Sequence, residues 1–159
     1  MTSAPKAIAS FATAIVLAVT LGACAQTEAD AARNAYVRQL NAAQARFART
    51  ATEVSGAITD TSSVRQDRRT LVHYGAVMGG LARTLRAVSV PAQARPEHAG
   101  LVAALAEFRK QISSIVIELR SPTTRAIDDA DHRLAEATKT FNAKLGASIS
   151  AINRKLQSS

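Results

Sequence analysis

Apolar residues recur at steps of three and four along most of this chain, in four runs separated by polar or proline-bearing breaks. That spacing puts apolar side chains on one face of an α-helix. The first run is Tyr36, Leu40, Ala43, Phe47, Thr50, Val54 and Ile58. It predicts a helix opening at Thr27, with Asp30 three residues on as in a capping box. Thr59-Asp60-Thr61-Ser62 breaks the run. A second helix is expected from Ser62 or Ser63, with the stripe Val64, Leu71, Tyr74, Met78, Leu81, Leu85 and Val88, which Asp67 interrupts. Val90-Pro91-Ala92-Gln93-Ala94-Arg95-Pro96 ends it, because proline lacks the N–H that continues the ladder.

Pro96 and Glu97 suit the first turn of a third helix, with the stripe Leu101, Leu105, Phe108, Ile112, Ile115 and Leu119. Ser121-Pro122 then reads as the cap and first-turn proline of a fourth, with Ile127, Leu134, Phe141, Leu145, Ile149, Ile152 and Leu156 on its apolar face. No alternating strand pattern of comparable length occurs. Short links force neighbours antiparallel, so the expected fold is all-α, an up-down-up-down four-helix bundle over residues 27–159. A three-helix bundle with a loose first helix is the alternative. Layer counting sets Phe47 near Tyr74, Tyr74 near Phe108 or Ile112, and Phe108 near Leu134, an aromatic cluster at mid-height. Gly75, Gly79 and Gly80 sit inside the second helix, each costing about 1 kcal/mol against Ala. Close approach of a neighbouring helix explains them better than a kink or a ligand gap.

Ahead of the bundle the pattern changes. Lys6 is followed by an uncharged stretch from Ala7 to Leu21, then Gly22, Ala23 and Cys24, the only cysteine. A short positive region, an apolar region and small residues are the parts of an export signal in their usual order. The uncharged run is shorter than the ~20 residues of a comfortable spanning helix. Leu21-Gly22-Ala23-Cys24 resembles the lipobox of bacterial lipoproteins. The resemblance implies cleavage before Cys24, lipidation of that cysteine, and a lipid-anchored protein on the extracytoplasmic membrane face. Residues 1–23 are then a signal peptide and 24–26 a short tether. An uncleaved signal anchor, or a secretory peptide cut elsewhere, are the competing readings. The bundle with its proline-containing V-P-A-Q-A-R-P-E-H-x-x-L link resembles small all-helical bacterial lipoproteins, a likeness that carries no functional residues.

Charge refines this picture. Lys and Arg total 20 against 12 Asp and Glu, a net charge of +8. In a cytosolic protein that balance would suggest nucleic acid. An exported, anchored protein meets anionic head groups or anionic wall polymers instead, and no nucleic acid is expected. The bundle order gathers Arg33, Arg83, Arg86, Arg95, Arg154 and Lys155 at the membrane-side end, facing anionic lipid, against Glu28, Asp30 and Glu97. Aromatic content is 4% and tryptophan is absent, which argues against carbohydrate platforms. With one cysteine, no internal disulfide forms.

Candidate chemistry is sparse. Asp128 and His132 share a helix face beside Asp129 and Asp131, but the repeated Glu-x-x-His pattern of di-metal bundles is missing. Acids near a helix N-terminus explain this group without a metal. His73 and His98 read as boundary residues, and Met78 as core. Ser113 and Ser114 lack a base and a glycine-rich elbow. No catalytic residue, cofactor or metal site is expected. The expected function is a non-enzymatic helical interaction or scaffold module with an unidentified protein partner. A carrier of an apolar ligand or lipid, opening near Gly75 to Gly80, is one alternative; a metal or haem binder is another.

Overall fold

The computed structural model describes residues 28–158. The lipobox Leu21-Gly22-Ala23-Cys24, the tether and the Thr27 cap lie outside the described residues. Four helices follow: α1 (Glu28–Ala57), α2 (Val64–Arg86), α3 (Arg95–Glu118) and α4 (Thr124–Gln157). A single 3₁₀ turn, Ala92–Ala94, precedes α3. Among the described residues there is no strand, and the described part of the chain is all-helical.

Local chemistry fixes the boundaries. Ser63 caps α2, its Oγ accepting from the Gln66 N–H at 3.3 Å. At the other end, the Ala87 N–H reaches back to the Arg83 carbonyl at 3.2 Å. Pro96 stands in the first turn of α3, where an N–H would have no helical acceptor. The start of α4 differs from the sequence expectation. Thr123 is the cap, with Oγ1 accepting from the Ala126 N–H at 3.1 Å, and the helix begins at Thr124. Ser121 and Pro122 precede it outside the helix, because a threonine two residues on offers a hydroxyl in capping position.

The apolar stripes meet in one core. Every predicted α3 position, Leu101 through Leu119, is buried, as are Tyr36, Leu40, Val54 and Ile58 of α1. Phe47, Val64, Val88, Ile127, Leu134 and Leu145 are only partly buried, packed against its edge. At mid-height Phe108 stacks on Phe141 with centroids 4.6 Å apart and meets Tyr74 edge-on at 5.7 Å. Phe47 meets Phe141 at 5.2 Å, so α1 and α4 touch there through rings. The expected aromatic cluster therefore forms, with Phe141 at its centre. Phe108 packs on Phe141 rather than being matched with Leu134, two turns away along α4.

The glycines of α2 divide. A Cβ at Gly75 would sit 3.6 Å from Ile112 Cγ2, and one at Gly79 would sit 3.2 Å from Arg109 Nε. Both therefore face α3 at close quarters. Gly80 has nothing within 4 Å and serves no packing purpose.

Candidate functional site

The most developed polar arrangement is buried at one end of the core. Tyr36 of α1 and His98 of α3 are both nearly inaccessible. Their hydroxyl and Nδ1 lie 3.1 Å apart, and His98 Nε2 lies 2.9 Å from the Leu85 carbonyl at the end of α2. A carbonyl only accepts, so Nε2 carries the proton. In the neutral ring Nδ1 then accepts, and the Tyr36 hydroxyl donates to it. One imidazole thus ties three helices together. Burial, and then the nearby Glu97 carboxylate, push the Tyr36 phenol up to about 12. It remains a neutral donor, and both ring nitrogens are engaged internally. The chemistry of this group is a clasp rather than a reaction centre.

His98 is thus a core residue, not the boundary residue expected from its place in the first turn. Its position was readable: His98, Leu101, Leu105 and Phe108 follow the three- and four-residue steps of the α3 stripe. An imidazole was discounted there because nothing in the local sequence names Tyr36 as its partner.

The same end holds the charged residues expected to face a membrane. Arg33 donates to Asp30 Oδ1 at 2.7 Å and to the Leu156 carbonyl at 3.4 Å, joining the start of α1 to the end of α4. Arg83 and Arg86 stand in the last turn of α2, Arg95 opens α3, and Arg154 and Lys155 stand in the last turn of α4. All five are exposed, whereas Arg33 is half-buried. Glu97 Oε2 and Asn153 Oδ1 are buried here without a hydrogen-bond partner among the described residues. An open groove of about 520 Å³ separates the first turns of α1 from the α2–α3 link. Its two charged residues, Asp30 and Arg33, pair with each other, so the groove presents no single sign of charge.

At the opposite end Asp67 is buried, which explains the break it makes in the α2 stripe. Ser62 Oγ donates to its Oδ1 at 2.5 Å. Asp67 and Asp131 both line a cavity of about 20 Å³ there. Asp128 and His132 are exposed on the surface of α4, where the ion pair is Arg125–Asp129 at 3.8 Å. His73 is exposed too, and Met78 is fully buried. Among the described residues no three His, Cys, Asp or Glu side chains converge as metal ligands would. Ser113 donates to the Arg109 carbonyl, and Ser114 receives Arg133.

The apolar interior is tight. A second cavity of about 20 Å³ lies between Leu40, Phe47, Leu81, Leu105, Phe141 and Leu145. Either cavity holds about one water, against several hundred Å³ for a typical ligand pocket. The space beside Gly79 is taken by the Arg109 side chain. No helix among the described residues is long and apolar enough to cross a membrane.

No protein-family model matches the chain, and no similar curated protein or solved structure was found.

Proposed function

We propose that this protein is a lipid-anchored, extracytoplasmic membrane lipoprotein that acts as a non-enzymatic helical interaction or scaffold module. The observation that carries the reading is Leu21-Gly22-Ala23-Cys24: the sole cysteine directly after an uncharged apolar stretch and two small residues. On this reading residues 1–23 are removed, Cys24 carries the lipid, and residues 25–27 are all that separates it from α1. The bundle is up-down-up-down. Contacts of the α1 start with the α4 end, and of the α2 end with the α3 start, support that order. Such an order sets Arg83, Arg86, Arg95, Arg154 and Lys155 on the tethered end, close to lipid head groups. A non-enzymatic role is supported by His98, the one buried histidine, whose two nitrogens are both bonded within the fold. The closed interior favours a partner bound outside the bundle over a ligand carried within it.

The test is the intact mass of protein from the membrane fraction, for wild type and Cys24→Ala. Residues 24–159 plus a diacylglyceryl or triacyl group, lost in the variant, is the expected result. An unmodified full-length mass would replace the lipid anchor with an uncleaved signal anchor.

A further inference from the structure

Helix α3 sorts its charges by face. Glu107, Gln111, Ser114 and Glu118 follow steps of four, three and four, hence share one face. That face looks at α4, because Arg133 of α4 reaches both Glu118 and Ser114. Arg109, Ser113 and Val116 form the ladder on the other side, which looks at α2, because Arg109 lies over Gly79; Arg120 follows in the turn just past the end of α3. The outer ladder of α2 continues the same sign. Arg65, Arg69, Val72, Ala76, Gly80 and Arg83 follow steps of four, three, four, four and three, and all but the half-buried Gly80 are exposed. The one acid of α2, Asp67, is on its buried face. The outer α2–α3 side is therefore cationic over about 27 Å, the rise from Arg65 to Arg83. Val72, at 51% exposure, stands within that field, and Ile117, at 58%, stands at its edge on the outward face of α3 between the two ladders; among the described residues they are the large apolar side chains that are exposed.

We propose that this lateral α2–α3 side is a docking surface for an anionic phospholipid bilayer, so that the bundle lies on its side rather than standing on its end. The charge selects an anionic partner. The two exposed aliphatic side chains, Val72 on the arginine ladder and Ile117 at its edge, favour a bilayer over a soluble polyanion, since head groups offer acyl carbon beneath the phosphates. The proposal deepens the anchored reading and rests on it. The tether of residues 24–27 reaches about 14 Å when extended, enough to turn the bundle through a right angle.

The experiment uses the full chain in vesicles of phosphatidylcholine, alone or mixed with phosphatidylglycerol. A thiol-reactive fluorophore is placed at Ile117→Cys or, as a control on exposed α4, at Lys144→Cys, and quenched by lipids labelled in the acyl chain. Quenching at position 117 well above that at 144 is expected, only with phosphatidylglycerol, and lost at high salt. Each cation near an anionic leaflet contributes roughly five-fold in partitioning. Replacing Arg65, Arg69 and Arg83 together by Gln should thus reduce the docked population about a hundred-fold. Equal quenching at both positions, or quenching that ignores the triple variant, would overturn the proposal. So would protection of position 117 by a soluble polyanion with no lipid quenching, which assigns the surface to a polymer. Labelling of wild-type Cys24 by the same reagent would overturn the lipid anchor alone. The lateral surface is then tested in the Cys24→Ser background.

Discussion

Replacing each buried tyrosine by phenylalanine should separate the two sites: a clear loss at Tyr36 and none at Tyr74. Tyr36 and Tyr74 are equally inaccessible, but only Tyr36 has a hydrogen-bond partner, the His98 ring at 3.1 Å. Tyr36→Phe removes the donor and leaves Nδ1 buried beside a carbon edge, a loss of about 1–3 kcal/mol. The Tyr74 hydroxyl is buried without a partner among the described residues. Tyr74→Phe removes that unsatisfied group and retains the edge-on contact with Phe108, so it should be neutral or gain about 1 kcal/mol. Urea unfolding of both variants, with slopes compared to exclude changes in the unfolded state, reads the difference. A Tyr74→Phe loss as large as that of Tyr36→Phe would refute the assignment of the clasp. The two phenols also set an alkaline limit. Burial raises both above the ordinary tyrosine value, Tyr36 to about 12 and Tyr74 further. Below pH 10 both folded and unfolded chains keep these protons, and their contribution is fully present. Above pH 10 the unfolded chain ionises first, so stability falls by about 1.4 kcal/mol per pH unit per tyrosine. For Tyr36 that fall ends near pH 12, and Tyr36→Phe should flatten the slope between these limits.

Gly80→Ala should raise the thermal midpoint by a few degrees, since the added methyl meets nothing within 4 Å and the helix gains about 1 kcal/mol. A lowered midpoint would expose a packing role for Gly80. Phe141→Ala should cost about 3–5 kcal/mol, because that ring touches both Phe47 and Phe108; chemical denaturation reads it. Thr123→Ala should cost about 1 kcal/mol, whereas Pro122→Ala should leave the α4 start in place. Amide exchange across residues 124–127 distinguishes the two.

Periodicity made the helices legible, because burial follows the same steps of three and four that the sequence displays. The α3 stripe was readable from local residues alone, whereas the choice between Ser62 and Ser63 as the α2 cap required the backbone. Thr123 was missed because Ser121-Pro122 offers the same signal two residues earlier, and only the backbone path decides between them. The partner of Phe108 depends on how α4 slides along α3, a register that no local residue encodes. His98 with Tyr36 spans 62 positions of sequence, and a hydrogen bond of that reach leaves no trace in either neighbourhood. The charge sorting of α3 was present in the steps of its acids and bases. Its meaning required knowing which face met α4.

The bond from Arg33 to the Leu156 carbonyl places both extremities of the folded unit at one end. Tension applied between an anchor ahead of residue 28 and a load attached beyond residue 157 would therefore pull α1 and α4 apart from that end. Rupture would proceed contact by contact, reaching Phe47 against Phe141 only further along the pair. A helix pair loaded lengthwise must break all its contacts at once; this one yields like a zip, at low force. Such a body is poorly built to bear a pull between its two extremities.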